Sequence, residues 1–246
     1  MTILAIIGGS GLTALDGLDI TRQQMQQTPY GQPSGPLTFG IFNDKEVVFL
    51  PRHGNPHVIP PHRINYRANI WALKTNNIRN IIAVNAVGGI TPGMYPGRLA
   101  IPTQIIDYTW GRQHTYFEDN NDQVTHVDFS HPYSDSLRQH LVQAVKNTRT
   151  DCFIGGTYGA TQGPRLESIA EIRRLETDGC DMVGMTGMPE AALARELELD
   201  YLSICVIANW AAGKSDDIIT MDIIDKNLQT GITSVCDLLE AVIPLI

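Results

Sequence analysis

An apolar run near the C-terminal end of the chain, Tyr201–Ala208, constrains the fold more than any other feature of the sequence. A strand that is apolar on both faces is typical of a parallel sheet buried under helices. The preceding residues, Pro189–Leu197, predict a helix, because proline is tolerated in a first helical turn and strong helix formers follow it. A helix that leads directly into a doubly buried strand indicates an α/β architecture.

The same alternation of strands and helices continues through the rest of the chain. Five further strands are predicted, at Ile3–Ile7, Glu46–Leu50, Ile78–Val84, Cys152–Thr161 and Asp181–Met185. Four further helices are predicted, at Arg63–Lys74, Ser134–Asn147, Ser168–Gly179 and Met221–Ile243. The third of these helices begins with a capping box, and the fourth carries an apolar stripe. The pattern predicts one α/β domain over residues 1–246, with a mixed, mostly parallel sheet covered by helices.

Composition narrows the class of protein further. No apolar run approaches the roughly 20 residues of a membrane span, and no basic region precedes the first apolar segment, so we expect no membrane association. The four cysteines form no CxxC pair, which predicts neither a zinc ribbon nor a disulfide framework and fits a cytoplasmic location. The net charge of −8 argues against nucleic acid as a partner, although a small anion remains compatible with a locally positive site.

Small and polar residues follow several of the predicted strands, where ligands of parallel sheets are found. Ser10 lies in a glycine-rich turn that could cradle phosphate, or that could be a plain tight turn. Arg52 and His53 could donate to phosphate, or could be a surface arginine and a loop histidine. Met185-Thr186 and Asn209 end the last two strands, so we expect them near any ligand. Prolines among the three histidines after Arg52 rule out a helical metal pair, so no metal site is predicted.

Two further segments allow both a functional and a structural interpretation. The stretch from Tyr108 to Tyr133 has no clear periodicity and is rich in aromatic residues and histidines, which favours a functional or interfacial segment over a disordered insertion. Glu167 lies just before the helix that begins at Ser168. It is either an acid that caps this helix or a carboxylate that contacts a substrate.

Taken together and in this order, the motifs resemble one family over nearly the whole chain. GGSG, PRHG, NYRANIWAL, NAVGGI, QGPRLE and GMTGMPEAA are similar to the corresponding segments of the trimeric purine nucleoside and methylthioadenosine phosphorylases. The resemblance implies that phosphate is held by Ser10, Arg52, His53, Asn85, Ala86 and Thr186. It implies that Met185 packs under the sugar and that Leu166, Glu167, Asn209 and Ala211 surround the base. Phosphate would then be a co-substrate, and no cofactor is expected.

Departures from the family pattern indicate which base is bound. The methylthioadenosine enzymes carry Asp at the positions of Asn209 and Ala211 and a small hydroxyl residue at that of Glu167, whereas the 6-oxopurine enzymes carry Glu and Asn as here. An ionised Glu167 can only accept a hydrogen bond, which suits the N1–H of a 6-oxopurine, and the Asn209 amide can donate to O6 or N7. We therefore expect these two residues to act in catalysis on a hypoxanthine-like base.

The sugar end of the likeness favours a methylthio group. The 6-oxopurine enzymes place a histidine in the last helix to bind the 5′-hydroxyl, but this chain has an apolar segment there. We expect Ile223 to face the pocket, or Asp222 or Ile224 if the helix starts one residue differently. His126 resembles a histidine that reaches a neighbouring subunit's 5′ site, so we expect a homotrimer in which residues 110–131 complete a neighbour's site. The combination implies phosphorolysis of S-methyl-5′-thioinosine. Methylthioadenosine, inosine or guanosine as substrate, or a nucleoside-binding module without activity, are the alternatives.

Overall fold

In the computed structural model, which describes residues 3–118, 125–216 and 218–246, one mixed sheet runs through the chain. Its strands are β1 Ile3–Gly8, β2 Asp19–Gln24, β3 Leu37–Phe42, β4 Lys45–Pro51, β5 Ile78–Gly89, β6 Leu99–Ile101, β7 Gln104–Asp107, β8 Cys152–Ile154, β9 Thr157–Ala160, β10 Met182–Gly184 and β11 Asp200–Trp210. Its helices are α1 Tyr66–Thr75, α2 Asp135–Thr148, α3 Ile169–Thr177, α4 Glu190–Glu196 and α5 Met221–Val242. Short 3₁₀ turns lie at Pro61–Arg63 and Ile243–Leu245.

The centre of the sheet is the long parallel pair β5 and β11, which pair from Asn80 and Asp200 to Gly89 and Trp210, with a one-residue shift of register between Ile207 and Asn209. β1 pairs in parallel with both β4 and β5, and β9 pairs in parallel with β7 and β10. Antiparallel pairing joins β2 to β3, β3 to β4, β5 to β10 and β6 to β11. The predicted fold class, a mixed and mostly parallel sheet covered by helices, is confirmed.

The strand β5 extends beyond its predicted end at Val84. The sequence suggests a loop for Asn85–Ile90, but the backbone stays extended to Gly89 because β11 pairs with it from Asn80 to Gly89. The predicted strand Cys152–Thr161 is instead two strands. Gly155 and Gly156 separate them at positive φ values of 127° and 93°, which only glycine adopts easily.

The helix starts agree with the sequence signals for capping. Ser168 accepts from the backbone of Glu171, whose side chain accepts from the Ser168 backbone, so the predicted capping box is present. α1 begins at Tyr66 rather than at Arg63, because Asn65 caps it. α4 begins at Glu190, after a cis peptide bond before Pro189.

The last helix packs closely on the central strand of the sheet. A Cβ atom at Gly231 would lie 2.2 Å from the Val206 side chain, so the glycine allows α5 to approach β11. Leu228, Val235 and Leu239 of α5 are buried. By length and mean hydropathy alone, the 25-residue segment Met221–Leu245 could cross a membrane. Core helices pass the same test, and the buried stripe of α5 is that of a core helix.

Candidate active site

A cavity of about 300 Å³ opens where β1, β4, β10 and β11 end beside the last residues of β5. Most of the residues singled out from the sequence line it. Those that do so are Ser10, Arg52, His53, Ala86, Leu166, Glu167, Met185, Thr186, Asn209 and Ala211. Asn85, Ile223 and His126 are not among its lining residues. The cavity therefore brings together segments that lie far apart in the sequence.

Met185 and Thr186 reach the cavity for a different reason from the one expected. The sequence suggests that they end a strand parallel to its neighbours, but β10 is parallel only to β9 and runs antiparallel to β5. β10 is short and pairs with Gly88 and Gly89, so its end at Gly184 points back toward the middle of β5. The carboxyl ends of strands with opposite directions thus meet at one point.

Arg52 lies fully buried at the β4 end of the cavity. Its Nε donates to Glu190 Oε2 at 2.7 Å, and its Nη2 donates to Glu190 Oε1 at 2.8 Å. Its Nη1 donates to the carbonyl of Val84 at 2.8 Å. Burial alone would lower the pKa of Arg52, but the Glu190 carboxylate more than offsets this and raises it. The guanidinium is therefore a fixed cation.

The glycine-rich turn after β1 lies directly against Arg52. A Cβ atom at Gly9 would lie 2.5 Å from the Val84 carbonyl oxygen and 3.0 Å from Arg52 Nη1, so only glycine fits there. The backbone N–H of Arg52 donates to the Gly8 carbonyl at 2.9 Å. These contacts place Ser10 and Arg52 at the same end of the cavity.

His53 is held as a neutral imidazole beside Arg52. Burial, together with the positive charge of Arg52, lowers the pKa of His53 to about 4. Its Nδ1 lies 2.8 Å from the carbonyl oxygen of Ile59, which can only accept, so Nδ1 carries the proton. The ring stacks on His57 with centroids 4.2 Å apart. At neutral pH its Nε2 is therefore an acceptor.

Asn85 lies one layer behind the cavity wall. It is fully buried, its Oδ1 accepts from the Thr186 hydroxyl at 2.8 Å, and its Nδ2 donates to Ser203. The expected contact between Asn85 and phosphate is thus not direct in this geometry. Asn85 instead orients Thr186, which does line the cavity.

The opposite end of the cavity carries the residues expected at the base. Asn209 pairs with Gly88 and donates one amide hydrogen to the Trp210 carbonyl at 2.7 Å. Glu167 accepts from the Thr161 hydroxyl at 2.6 Å. Along β5, the step from Val84 beside Arg52 to Gly88 beside Asn209 spans about 13 Å. The cation and the amide therefore lie at two separate ends of an elongated cavity.

The N-terminal turn of α5 and the residues before it form an apolar part of the wall. Ile219, Met221 and Ile224 line the cavity, whereas Ile223 is 41% exposed and lies outside it. Met221 and Ile224 are three residues apart and so lie on one face of the helix, whereas Ile223 lies on a different face. The apolar wall expected from the sequence is present, but Ile224 contributes to it instead of Ile223.

Residues 110–131 lie partly against their own subunit, with residues 119–124 outside the described part of the chain. Tyr116 is buried and donates to the Arg67 carbonyl at 2.9 Å. Trp110 is 70% exposed, and His126 is exposed away from the cavity. The expected contact of His126 with a neighbouring subunit stays a prediction.

Two important residues were missed by the sequence analysis. Arg112 donates to the carbonyls of Thr161, Gln162, Met185 and Met188, and so ties the segment before Glu167 to the segment that carries Thr186. The other is Glu190, the partner of Arg52. In the sequence, Arg112 could have been noticed as a charged residue among aromatic residues. Glu190 could have been noticed as an acid at the start of an apolar helix.

Comparison with known proteins places this geometry in one family. Residues 3–244 match the family described as the phosphorylase superfamily. A "probable S-methyl-5'-thioinosine phosphorylase" of Pseudomonas syringae pv. tomato is 56% identical over 96% of both chains. A "6-oxopurine nucleoside phosphorylase" of Pyrococcus furiosus is 43% identical over 100% of this chain and 94% of its own.

The fold is also similar to solved structures of this kind. A methylthioadenosine phosphorylase from Schistosoma mansoni, in complex with adenine, superposes with a TM-score of 0.95 and 31% identity, over 100% of this chain and 92% of the other. Both comparisons extend over nearly the full described chain.

Proposed function

Because this chain belongs to the phosphorylase superfamily, we propose that it uses inorganic phosphate to cleave S-methyl-5′-thioinosine into hypoxanthine and 5-methylthioribose 1-phosphate. Relatives at 56% and 54% identity are named probable phosphorylases of that nucleoside. The reaction makes the chain a pentosyltransferase of purine salvage.

One observation carries the choice of substrate: Glu167 and Asn209 line the same cavity as the apolar wall of Ile219, Met221 and Ile224. The carboxylate suits the N1–H donor of a 6-oxopurine and leaves the bare N1 acceptor of adenine unpaired or repelled, at a cost of about 1–3 kcal/mol. The apolar wall suits a methylthio group and gives a 5′-hydroxyl no partner. A 6-oxopurine joined to methylthioribose satisfies both.

The proposed chemistry needs no protein nucleophile. A phosphate oxygen forms a bond to the anomeric carbon while the bond from that carbon to N9 breaks, and the electron pair of that bond passes to the purine. Holding the two reactants in line supplies a large part of the acceleration. An Asn209 N–H directed at N7 would stabilise the negative charge that develops on the leaving base.

The phosphate subsite in this proposal lies at the Arg52 end. Ser10, His53, Ala86 and Thr186 line the same cavity as Arg52 and would contact the phosphate with it. The Nε and one Nη2 hydrogen of Arg52 are already donated to the Glu190 carboxylate. Phosphate would therefore accept from the N–H groups of Nη1 and Nη2 that are not used in these contacts. His53 would accept from a protonated oxygen of phosphate, because its Nδ1 hydrogen is used by Ile59.

The proposal also covers the oligomeric state of the protein, its location in the cell and its need for a cofactor. We propose a homotrimer, in which residues 110–131, with exposed Trp110 and His126, contact a neighbouring site. Static light scattering at assay concentration should give three times the monomer mass, and a fully active monomer would contradict this.

Free cysteines, of which Cys180 and Cys205 are buried, fit a cytoplasmic location. No cofactor is proposed, because phosphate and the protein groups suffice.

A substrate panel tests the proposed function. Release of free base should be measured with methylthioinosine, methylthioadenosine and inosine, each with and without phosphate. Methylthioinosine should give the highest kcat/KM, and turnover should require phosphate. Equal turnover without phosphate would indicate a hydrolase. A preference for methylthioadenosine would move the chain to the activity named for the Schistosoma mansoni structure.

A further inference from the structure

The hydroxyl of Thr161 holds the carboxylate that faces the base end of the cavity. Thr161 follows β9, and its backbone N–H donates to the Gly184 carbonyl at 2.8 Å, which fixes its position. Its Oγ1 lies 2.6 Å from Glu167 Oε1 and 3.3 Å from the Gly184 carbonyl oxygen. A hydroxyl has one hydrogen, and the shorter, charge-assisted contact receives it.

The surroundings of Glu167 make this contact important. The nearest cation in sequence, Arg165, forms its hydrogen-bonded ion pair with Glu171, to which both of its Nη atoms donate at 2.8 Å. Glu167 also forms part of the wall between the substrate cavity and a second one, lined by Tyr108, Trp110 and Arg174. A carboxylate with space on two sides can rotate unless a neighbour fixes it.

A hydrogen bond donated to one carboxylate oxygen has two consequences. It occupies Oε1, so that Oε2 is the oxygen left to accept a hydrogen bond from the base. It also fixes the plane of the carboxylate, so that Oε2 has a defined direction. If the carboxylate could rotate away, it would lose both its acceptor position for N1–H and its repulsion of the bare N1 of a 6-aminopurine. The contact thus bears on which base is accepted.

We propose that Thr161 is a positioning residue that enforces the preference for 6-oxopurines over 6-aminopurines by holding the Glu167 carboxylate in one orientation, with an acceptor oxygen directed at the base. This inference rests on the proposed function, because it concerns the same base site. Thr161 acts through Glu167 and need not touch the substrate.

The test compares Thr161→Val, which replaces the hydroxyl by a methyl group, with Thr161→Ser, which keeps the hydroxyl. kcat and KM are measured for methylthioinosine and methylthioadenosine at saturating phosphate. Thr161→Val should lower kcat/KM for methylthioinosine about tenfold and lower the ratio of the two kcat/KM values by a similar factor. Thr161→Ser should restore the ratio.

A double-mutant cycle separates positioning from a general structural role. In the Glu167→Gln background, Thr161→Val should change the substrate ratio by less than about twofold, because the acceptor charge is already gone. A structural role would instead lower activity on both nucleosides alike and leave the ratio unchanged in the single variant, which would overturn the proposal. Thr161→Ala, which is smaller than threonine, repeats the test if the valine variant does not fold.

The unaltered protein distinguishes this inference from the proposed function. If it cleaves neither nucleoside in the presence of phosphate, the proposed function fails. If it prefers methylthioinosine and Thr161→Val keeps that preference, only the role of Thr161 is wrong.

Discussion

Arg52 and Glu190 form a fully buried ion pair with two hydrogen bonds, in which neither side chain has any exposed surface. Tyr201 donates to the same carboxylate at 2.9 Å. The proposed phosphate subsite is thus built around a cation whose charge is already balanced and whose orientation is fixed. Since His53 is neutral as well, affinity for phosphate depends on directed N–H and O–H groups more than on net charge.

Removing the charge of Glu190 should destabilise the fold strongly. Glu190→Gln leaves a buried guanidinium without its counter-charge, which costs about 3–5 kcal/mol of the free energy of unfolding. Urea denaturation measures this. Glu240→Gln, at an exposed position of α5, should change stability by less than about 0.5 kcal/mol. Equal effects of the two substitutions would contradict a structural role for the pair.

The pair also changes how a test of Arg52 has to be designed. Arg52→Ala should raise the KM for phosphate, but it also leaves Glu190 buried and unpaired, so lost activity could reflect unfolding. Arg52→Met combined with Glu190→Gln removes both charges and should recover much of the lost stability. Its KM for phosphate should stay high. A double variant that binds phosphate normally would remove Arg52 from the subsite.

Arg112 should affect catalysis without contacting the cavity. Arg112→Met removes the donors that hold the Thr161 and Met185 carbonyls, so the segments at the base and at the sugar lose their common anchor. Misplacement of bound reactants by about 1 Å can cost about a hundredfold in rate. We expect a loss of that order in kcat/KM. Arg138→Met, which removes a surface arginine of α2 paired with Asp135, is the matched control and should retain activity.

The sequence predicts the fold class and most of the cavity, and the reasons for the failures are physical. Strand β2 is exposed at every position and carries no apolar pattern, so nothing in its residues marks it as a strand. The extension of β5 depends on pairing with β11, which is more than a hundred residues away in the chain. Ile223 and Ile224 differ by one position, and the face that each presents depends on where Thr220 caps the helix. The residues within a short segment do not determine which distant strand it pairs with or which helix face meets the cavity.

Stability should depend on pH through His53. Its pKa is about 4 in the folded protein and about 6.5 in the unfolded chain, so the unfolded state binds the proton first as the pH falls. The contribution is complete above pH 6.5 and is lost between about pH 6.5 and 4, with a limit of about 3 kcal/mol. The free energy of unfolding should be measured for the unaltered protein and for His53→Asn across this range. The difference between the two proteins should shrink as the pH falls. His126→Gln, at an exposed position, is the control.

The last prediction concerns the two neighbouring isoleucines at the start of α5. Ile224 lines the cavity and Ile223 does not, so only the first should influence which 5′ group is accepted. Burying a methylthio group contributes on the order of 1–2 kcal/mol at about 25 cal/mol per Å². Burying a 5′-hydroxyl without a partner costs a comparable amount.

Together these terms predict a preference of roughly two orders of magnitude for methylthioinosine over inosine. Ile224→His should narrow this gap, because it removes apolar wall and supplies a partner for the hydroxyl. Ile223→His adds the same side chain one position away and should leave the gap unchanged. kcat/KM for both nucleosides in both variants decides the matter. Methylthioinosine and inosine share a base, so Glu167 and Asn209 cannot discriminate between these two nucleosides. If Ile223→His alone narrowed the gap, the helix would present a different face to the substrate.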